Sequence, residues 1–429
     1  MDFKPLSAYI VDACRTAGGK RNGKLSGYHP ADLGAAVCDA LIERQSLNGA
    51  EVEDVIFGCV AQTGAQAANV ARTVVLSSRL LPETVPGTSV DQVCSASQQA
   101  VHTAVQAVMS GVHDCCIAGG VEAMSTLPID SAIRAGFKSG HGRPMNAAIA
   151  DKYKDKLKAF EHFGLSSSVF NQFGGAELLA QKYKLSRQDA DRVAAISQSR
   201  AAESTKAGKF KDEIVPLPVK RKEGASEGVH SEDEGIRPNV TLERLGKMKA
   251  LFRNGVLTAA SSSQICDGAA AVLICNERGL QKLKLKPLAR IVSTALVATD
   301  PVMIFEGPIS ASQRALEKAK LKIQDMDLYE ALGADFEKLN VNGGAMALGH
   351  PLGCTGAKLL TTLVHELKRQ KKRYGLLAVP AAGGLANATI VEMMPSANFS
   401  HGMPWPGLVA APGVVSFSPC CCSLLRRRG

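Results

Sequence analysis

The chain has 429 residues, 45% hydrophobic and 21% charged, enough to bury one large core or two to three smaller ones in an ordinary globular protein. Its net charge is +10, but aromatic residues make up only 5% against 40 glycines, which argues against a base-stacking surface for single-stranded nucleic acid. Basic stretches at 152–158 and 368–373 read as solvated surface or as cations that meet a polyanionic ligand, and charge alone does not choose.

The first third of the chain alternates strand and helix signals. Residues 8–13 form a short apolar run, residues 31–45 carry Leu33, Val37, Leu41 and Ile42 at helical spacing, and residues 52–60 return to a strand pattern. A helical stretch over 67–81 and an extended one over 84–93 lead to Cys94. Residues 95–110 then put Ala100, Val101, Ala104, Val105 and Val108 on one side of a helix, and a strand at 115–118 ends in Gly119-Gly120. Repeated strand–helix–strand units predict a mainly parallel sheet covered on both faces.

From about 121 to 247 the pattern changes to a stretch rich in Lys, Ser and Asp, with helices predicted near 176–184 and 187–207 and no strong strands. It reads as an inserted, more exposed segment of the kind that carries ligand contacts. Alternation resumes through 269–275, 288–297, 311–319, 358–371 and 376–379. The halves echo each other. Cys94 precedes a helix and a strand ending in Gly-Gly, and His350 precedes a helix, a strand and Gly383-Gly384. That pattern suggests an internal duplication with one reactive residue from each half. The expected division is one half at 1–120 with 248–268, an inserted loop domain at 121–247, and a second, shortened half at 269–395. A Pro-, Gly- and Ser-rich tail at 396–429 is expected to be disordered, and its Cys420, Cys421 and Cys422 near Arg426 suit lipid attachment.

Twelve cysteines spread through apolar segments, with no Cys-x-x-Cys pair and no zinc spacing, point to reduced thiols and no metal. The start of the chain shows no signal peptide or presequence, and its end is not a peroxisomal tripeptide. No apolar run is long enough for an integral membrane segment. The expected location is cytoplasmic, with mitochondrial and peroxisomal alternatives left open.

Cys94 and His350 are the candidates for chemistry. A cysteine at the start of a helix meets the positive end of the helix dipole, which lowers a thiol's pKa, and Ser95-Ala96-Ser97 offers backbone N–H donors. A buried, inert cysteine is the bland alternative. His350 lies among Gly344, Gly349, Pro351 and Gly353, where an imidazole is accessible at a helix start. Together the two make a possible nucleophile–base pair.

The residues around them carry a resemblance. The run Asn342-Gly343-Gly344-Ala345-Met346-Ala347-Leu348-Gly349-His350-Pro351-Leu352-Gly353-Cys354-Thr355-Gly356 is similar to the Gly-His-Pro signature of thiolases. Val90-Asp91-Gln92-Val93-Cys94-Ser95-Ala96-Ser97 resembles that family's nucleophile segment. Thr258-Ala259-Ala260-Ser261-Ser262-Ser263 with Asp267-Gly268 resembles its CoA-contacting stretch. Gly119-Gly120-Val121-Glu122-Ala123-Met124-Ser125 matches a further block, and the likeness spans roughly residues 6–394.

The resemblance implies an α/β fold of duplicated halves in five layers, α-β-α-β-α, with an inserted loop domain. It implies a CoA-dependent acyltransferase in which Cys94 forms an acyl thioester, His350 is the base and Ser263 lies in the CoA site. CoA and acyl-CoA enter as substrate, with no permanently bound cofactor, no nucleic-acid partner, and association as a homo-oligomer. The family also implies a second cysteine in a Cys-x-Gly motif and an oxyanion-hole Asn in an Asn-Glu-Ala-Phe motif. Pro380 stands where that cysteine is expected, and proline has no proton to exchange. After Glu330 the chain runs directly to Ala331-Leu332-Gly333, without the Asn-Glu-Ala-Phe segment. Two function classes therefore follow: a thiolase-type acyltransferase, or a catalytically impaired acyl-CoA-binding protein on the same fold. Slow acyl-CoA hydrolysis is a weaker third.

Overall fold

The computed structural model describes residues 5–222, 224–330 and 337–395. The tail expected at 396–429, and the connection at 331–336 that lacks the Asn-Glu-Ala-Phe segment, lie outside the described residues.

In chain order the first elements are β1 (Tyr9–Thr16), β2 (Gly19–Lys20), α1 (Pro30–Gln45), β3 (Asp54–Gly58), α2 (Val70–Ser77), β4 (Gly87–Val90), α3 (Ala96–Ser110) and β5 (Cys115–Ala123). The inserted stretch holds α4 (Ser131–Lys138), α5 (Ala147–Leu157), α6 (Gln172–Lys182), α7 (Arg187–Lys206), β6 (Ile214–Val215), β7 (Leu217–Arg221), β8 (Gly224–His230) and α8 (Leu242–Gly246). Then come β9 (Cys266–Cys275), α9 (Glu277–Lys282), β10 (Ala289–Ala298), α10 (Gly307–Ala319), β11 (Leu328–Glu330), α11 (Ala345–Leu348), α12 (Thr355–Gln370), β12 (Tyr374–Ala381) and β13 (Leu385–Met393).

Local chemistry sets many of these limits. α1 opens with Pro30 in its first turn and with the His29 ring accepting the Ala31 N–H, and it closes at Ser46, whose φ of 51° is left-handed. α7 opens on a Ser186–Asp189 capping box. The boundary expected between 268 and 269 falls inside β9, which forms one continuous strand between β5 and β1.

The main sheet runs β11-β12-β13-β10-β1-β9-β5-β3-β4. The expected mainly parallel pairing is corrected here, since the sheet is mixed. β3 pairs in parallel with β4 and β5, and β11 with β12, whereas β9 is antiparallel to both β5 and β1, and β13 to both β10 and β12. The reason is connectivity. β9 enters after the long excursion that begins beyond β5 and is free to enter in either direction, and β13 follows β12 through a tight turn at Ala382–Gly384, which reverses the chain. The two halves of the sheet meet through only a short β1–β10 pairing, Tyr9 with Arg290 and Ile10 with Ala289.

Side-chain alternation along the strands sorts the core into layers. Val55, Phe57, Ile117 and Leu273 face α1 and α2, packing on Leu33, Val37, Val70 and Val74. Their strand neighbours Ile56, Cys116, Ala118, Val272 and Ile274 face inward onto Val101, Val105 and Val108 of α3 and Leu360, Val364 and Leu367 of α12. The same inner cluster takes Leu377, Val379 and Val391 from the second half of the sheet, while Leu376, Ala378 and Ile390 face Ala311 and Ala315 of α10. The order is helices, strands, helices, strands, helix, the five-layered α/β arrangement expected. α3 and α12 form the central layer, and the two residues of interest lie at their N-terminal ends.

Candidate active site

Cys94 sits in the turn between β4 and α3. Val93 occupies the left-handed region at φ 50°, its N–H donates to Asp91 Oδ1 (2.8 Å), and the Ser95 and Ala96 N–H groups close onto the carbonyls of Gln92 (3.2 Å) and Val93 (3.0 Å). The Ser95 and Ala96 donors are thus spent inside the turn. The N–H groups that serve the Cys94 sulfur are its own and that of Ala382, both of which favour its thiolate. Burial outweighs them. The thiol, ordinarily at 9.0, is pushed up to about 11, with Glu122 and Asp91 adding to the rise and the Ala382 N–H opposing it. The expected helix-lowered thiol is therefore corrected: Cys94 is half-buried and neutral at pH 7.

His350 lies in the turn between α11 and α12, after Gly349 at φ 83°. Its N–H donates to the Gln264 carbonyl (3.0 Å), and Gln264 Nε2 donates back into the same region, to Met346 O (2.6 Å) and Gly235 O (2.9 Å). His350 Nδ1 is 2.6 Å from Thr355 Oγ1, which in turn donates to Pro351 O at 2.9 Å. Burial, with the positive charge of nearby Lys358, holds the imidazole down to about 4, so His350 is also neutral at pH 7. Lys358 itself is buried, donating to Leu348 O and lying 3.7 Å from Asp233, which Arg15 binds at 2.9 Å.

The two turns are brought together by the N-terminal ends of α3 and α12. Ala357 N–H donates to Ser97 Oγ (3.0 Å), and a Cβ on Gly120 would fall 2.0 Å from Gly353 O and 2.8 Å from Ser97 Cβ. Glu122 locks this joint. Its buried carboxylate accepts N–H groups from Val60 (3.0 Å), Ala61 (3.0 Å), Gln66 Nε2 (2.6 Å) and Gly353 (2.8 Å). All four partners are donors, so the ionised form is fully satisfied although burial pushes its pKa up.

Ser263 is exposed, between Ala260 and Gln264, which belong to the wall of a cleft of about 450 Å³. Gln198, Arg237, Arg244, Leu245, Met248 and Met346 complete most of that wall, mixing apolar surface with two cations. Gln264, next in sequence to Ser263, lines the cleft and its carbonyl accepts the His350 N–H, so the cleft borders the His350 turn. Pro380 is half-buried in β12, two residues before the Ala382 N–H that reaches Cys94.

Glu122, Thr355 and Ala382 carry roles that the residue pattern does not announce. A charged residue inside an otherwise apolar strand was a signal for Glu122. Thr355 stands five residues after His350 in the quoted block, where only geometry reveals its partner. A backbone N–H such as that of Ala382 leaves no trace in residue types. Among the described residues no cluster of His, Cys, Asp or Glu could hold a metal ion, and no helix is long and apolar enough to cross a membrane.

Family models, relatives and a solved structure match the chain over most of its length. Residues 8–278 match the thiolase N-terminal domain and residues 285–393 the thiolase C-terminal domain. A steroid 3-ketoacyl-CoA thiolase of Mycobacterium tuberculosis is 42% identical over 401 residues, covering 90% of this chain and 94% of that protein. The acetyl-CoA acetyltransferase of Escherichia coli is 38% identical over 402 residues, covering 90% and 98%. The crystal structure of the Bacillus anthracis acetyl-CoA acetyltransferase superposes with a TM-score of 0.78 at 32% identity, covering 91% of this chain and 99% of that one. The chain belongs to the thiolase family and is a thiolase-type acyltransferase.

Proposed function

We propose that the protein transfers acyl groups from CoA thioesters through an acyl thioester on Cys94, with His350 as the base. The observation that carries this is the joining of the two turns at the tips of α3 and α12, with the Ala382 N–H at the sulfur. Cys94 and His350 are both neutral at rest, so attack requires the thiol proton to be passed on. The Cys94 sulfur bonds to the thioester carbon as its proton passes to His350. The carbon–sulfur bond to CoA then breaks, and the departing thiolate takes that proton back from the imidazolium. The carbonyl oxygen of the bound acyl group finds N–H donors in Cys94 and Ala382, an arrangement suited to stabilising a tetrahedral oxyanion.

CoA enters as substrate rather than as a permanently bound cofactor. The cleft beside Ser263, with Arg237 and Arg244 on its wall, suits a long ligand bearing phosphates. The finer reading concerns the second step. With Pro380 at the expected place of a second cysteine, a carbon-acid acceptor lacks its proton carrier, so return of the acyl group to a thiol is favoured over carbon–carbon bond formation. Association of copies into a homo-oligomer belongs to the same reading, with β4 ending the strand order at one side of the sheet.

The test is intact-mass analysis after incubation with acetyl-CoA, comparing the wild type with Cys94→Ala. An acetyl adduct on the wild type that is lost in Cys94→Ala, and removed by added CoA, supports the reading. Binding of acetyl-CoA without any adduct would leave an acyl-CoA-binding protein on a thiolase fold.

A further inference from the structure

We infer that Thr355 is a positioning residue that fixes the ring tautomer of His350, holding the proton on Nδ1 and leaving Nε2 as the free lone pair. The inference rests on His350 acting as the base, and it adds what makes that base competent.

A threonine hydroxyl carries one hydrogen and two lone pairs. Thr355 Oγ1 has two close polar neighbours, Pro351 O at 2.9 Å and His350 Nδ1 at 2.6 Å. If the hydroxyl gave its hydrogen to Nδ1, Oγ1 and the Pro351 oxygen would face each other at 2.9 Å with no hydrogen between them, which is repulsive. If the hydroxyl donates to Pro351 O and Nδ1–H donates to Oγ1, both contacts become hydrogen bonds. The second arrangement makes one more bond and removes the oxygen–oxygen clash. It also fixes the other ring nitrogen, because a neutral imidazole that holds its proton on Nδ1 has none on Nε2.

The surroundings hold this relay in place. Thr355 is 3% exposed, at the first position of α12, so water does not compete for its hydroxyl. The backbone of His350 is pinned by Gln264 and that of Pro351 by Cys354, whose N–H donates to Pro351 O at 2.9 Å. When Nε2 accepts the thiol proton, the Nδ1–H···Oγ1–H···O=C chain is unchanged. No group must reorient as the imidazolium forms, and none must return when the proton leaves.

Three variants test the relay: Thr355→Val, which keeps the shape and removes the hydroxyl, Thr355→Ser, which keeps the hydroxyl, and His350→Gln. The rate of acetyl-adduct formation on Cys94 is measured across acetyl-CoA concentrations, with melting curves to confirm folding. Protein labelled with nitrogen-15 histidine reports which ring nitrogen carries the proton, and His350→Gln identifies the signal. Thr355→Val is expected to lose tenfold to a hundredfold in maximal acylation rate at unchanged half-saturating acetyl-CoA, with the ring proton moved from Nδ1. Thr355→Ser is expected within about threefold of the wild type. A Thr355→Val protein that acylates at the wild-type rate, or keeps the proton on Nδ1, overturns the relay. If His350→Gln also acylates at the wild-type rate, the base assignment fails as well. If His350→Gln is inactive while Thr355→Val is not, only the relay fails. Should Thr355→Val not fold, the ring signal of the wild type decides alone, and a proton on Nε2 refutes the inference.

Discussion

The turns that carry Cys94 and His350 occupy equivalent places, each at the start of a central-layer helix, but they are built from different materials. The Cys94 turn is held mainly by backbone, with Val93 at φ 50° and the Ser95 and Ala96 N–H groups folded onto the preceding carbonyls, and the Asp91 and Ser95 side chains add one bond each. The His350 turn leans more on side chains: beside the backbone bond from His350 N–H to Gln264 O, the Gln264 amide holds Met346 O, Thr355 meets the ring and Lys358 holds Leu348 O. The difference follows from what each must do. A nucleophilic sulfur must stay open to substrate with N–H donors about it, and backbone supplies those without filling the space. A base must hold its ring at one angle and in one tautomer, which needs a directed side-chain partner.

The largest effect is expected where the two turns touch. A Cβ on Gly120 would fall 2.0 Å from the Gly353 carbonyl, and the His350 turn cannot withdraw from β5 without breaking the Gly353 N–H bond to the buried Glu122. Gly120→Ala is expected to lower the unfolding free energy by about 3 kcal/mol or more, at the upper end of overpacking costs. Chemical denaturation measures this. An unchanged midpoint would mean that the joint is loose and that the turns are positioned independently.

The next effect sharpens the contrast in electrostatics. Burial raises Cys94 to about 11 against an ordinary 9.0, so its thiolate fraction falls tenfold for each pH unit below 11. Alkylation of Cys94 by iodoacetamide, followed by peptide mass analysis, should therefore climb with pH through 9 and beyond, where a free thiol levels off. The linked stability has the opposite sign. The unfolded thiol ionises first, so the stability this group contributes is intact below pH 9 and declines as pH rises from 9 towards 11. A plateau near pH 7 would instead mean a pre-formed thiolate, with the helix start and the Ala382 N–H outweighing burial.

Much of this was legible in the residues. Cys94 and His350 each stand at a predicted helix start, Ser263 is singled out by the resemblance alone, and the helix limits 30–45, 96–110 and 187–206 fall within a residue or two of the periodic patterns. Strand direction was not legible. Alternation fixes that β9 exists, but after the long stretch following β5 nothing local decides which way it enters the sheet. The raised thiol is not legible either, because a helix start is visible in sequence whereas the burial that outweighs it comes from the folded surroundings of the turn. Ala382 contributes only a backbone N–H, which any residue but proline would supply.

The smallest effect concerns the strain in the backbone-built turn. A β-branched residue in the left-handed region costs about 1–2 kcal/mol, and Val93 bears that cost next to the nucleophile. Val93→Gly removes the strain but gives the unfolded chain extra freedom, which costs about 0.5–1 kcal/mol, so the net change in stability is expected to stay within about 1 kcal/mol. Acylation should respond differently. Without the side chain the turn has more than one accessible shape, the sulfur leaves the Ala382 N–H for part of the time, and the acylation rate is expected to fall about threefold to tenfold. Denaturation and single-turnover acylation measured on the same preparation separate the two. A variant that gains about 2 kcal/mol and still acylates at full rate would mean that the strain at Val93 does not aim the sulfur, and that the Ala382 contact and Glu122 alone position it.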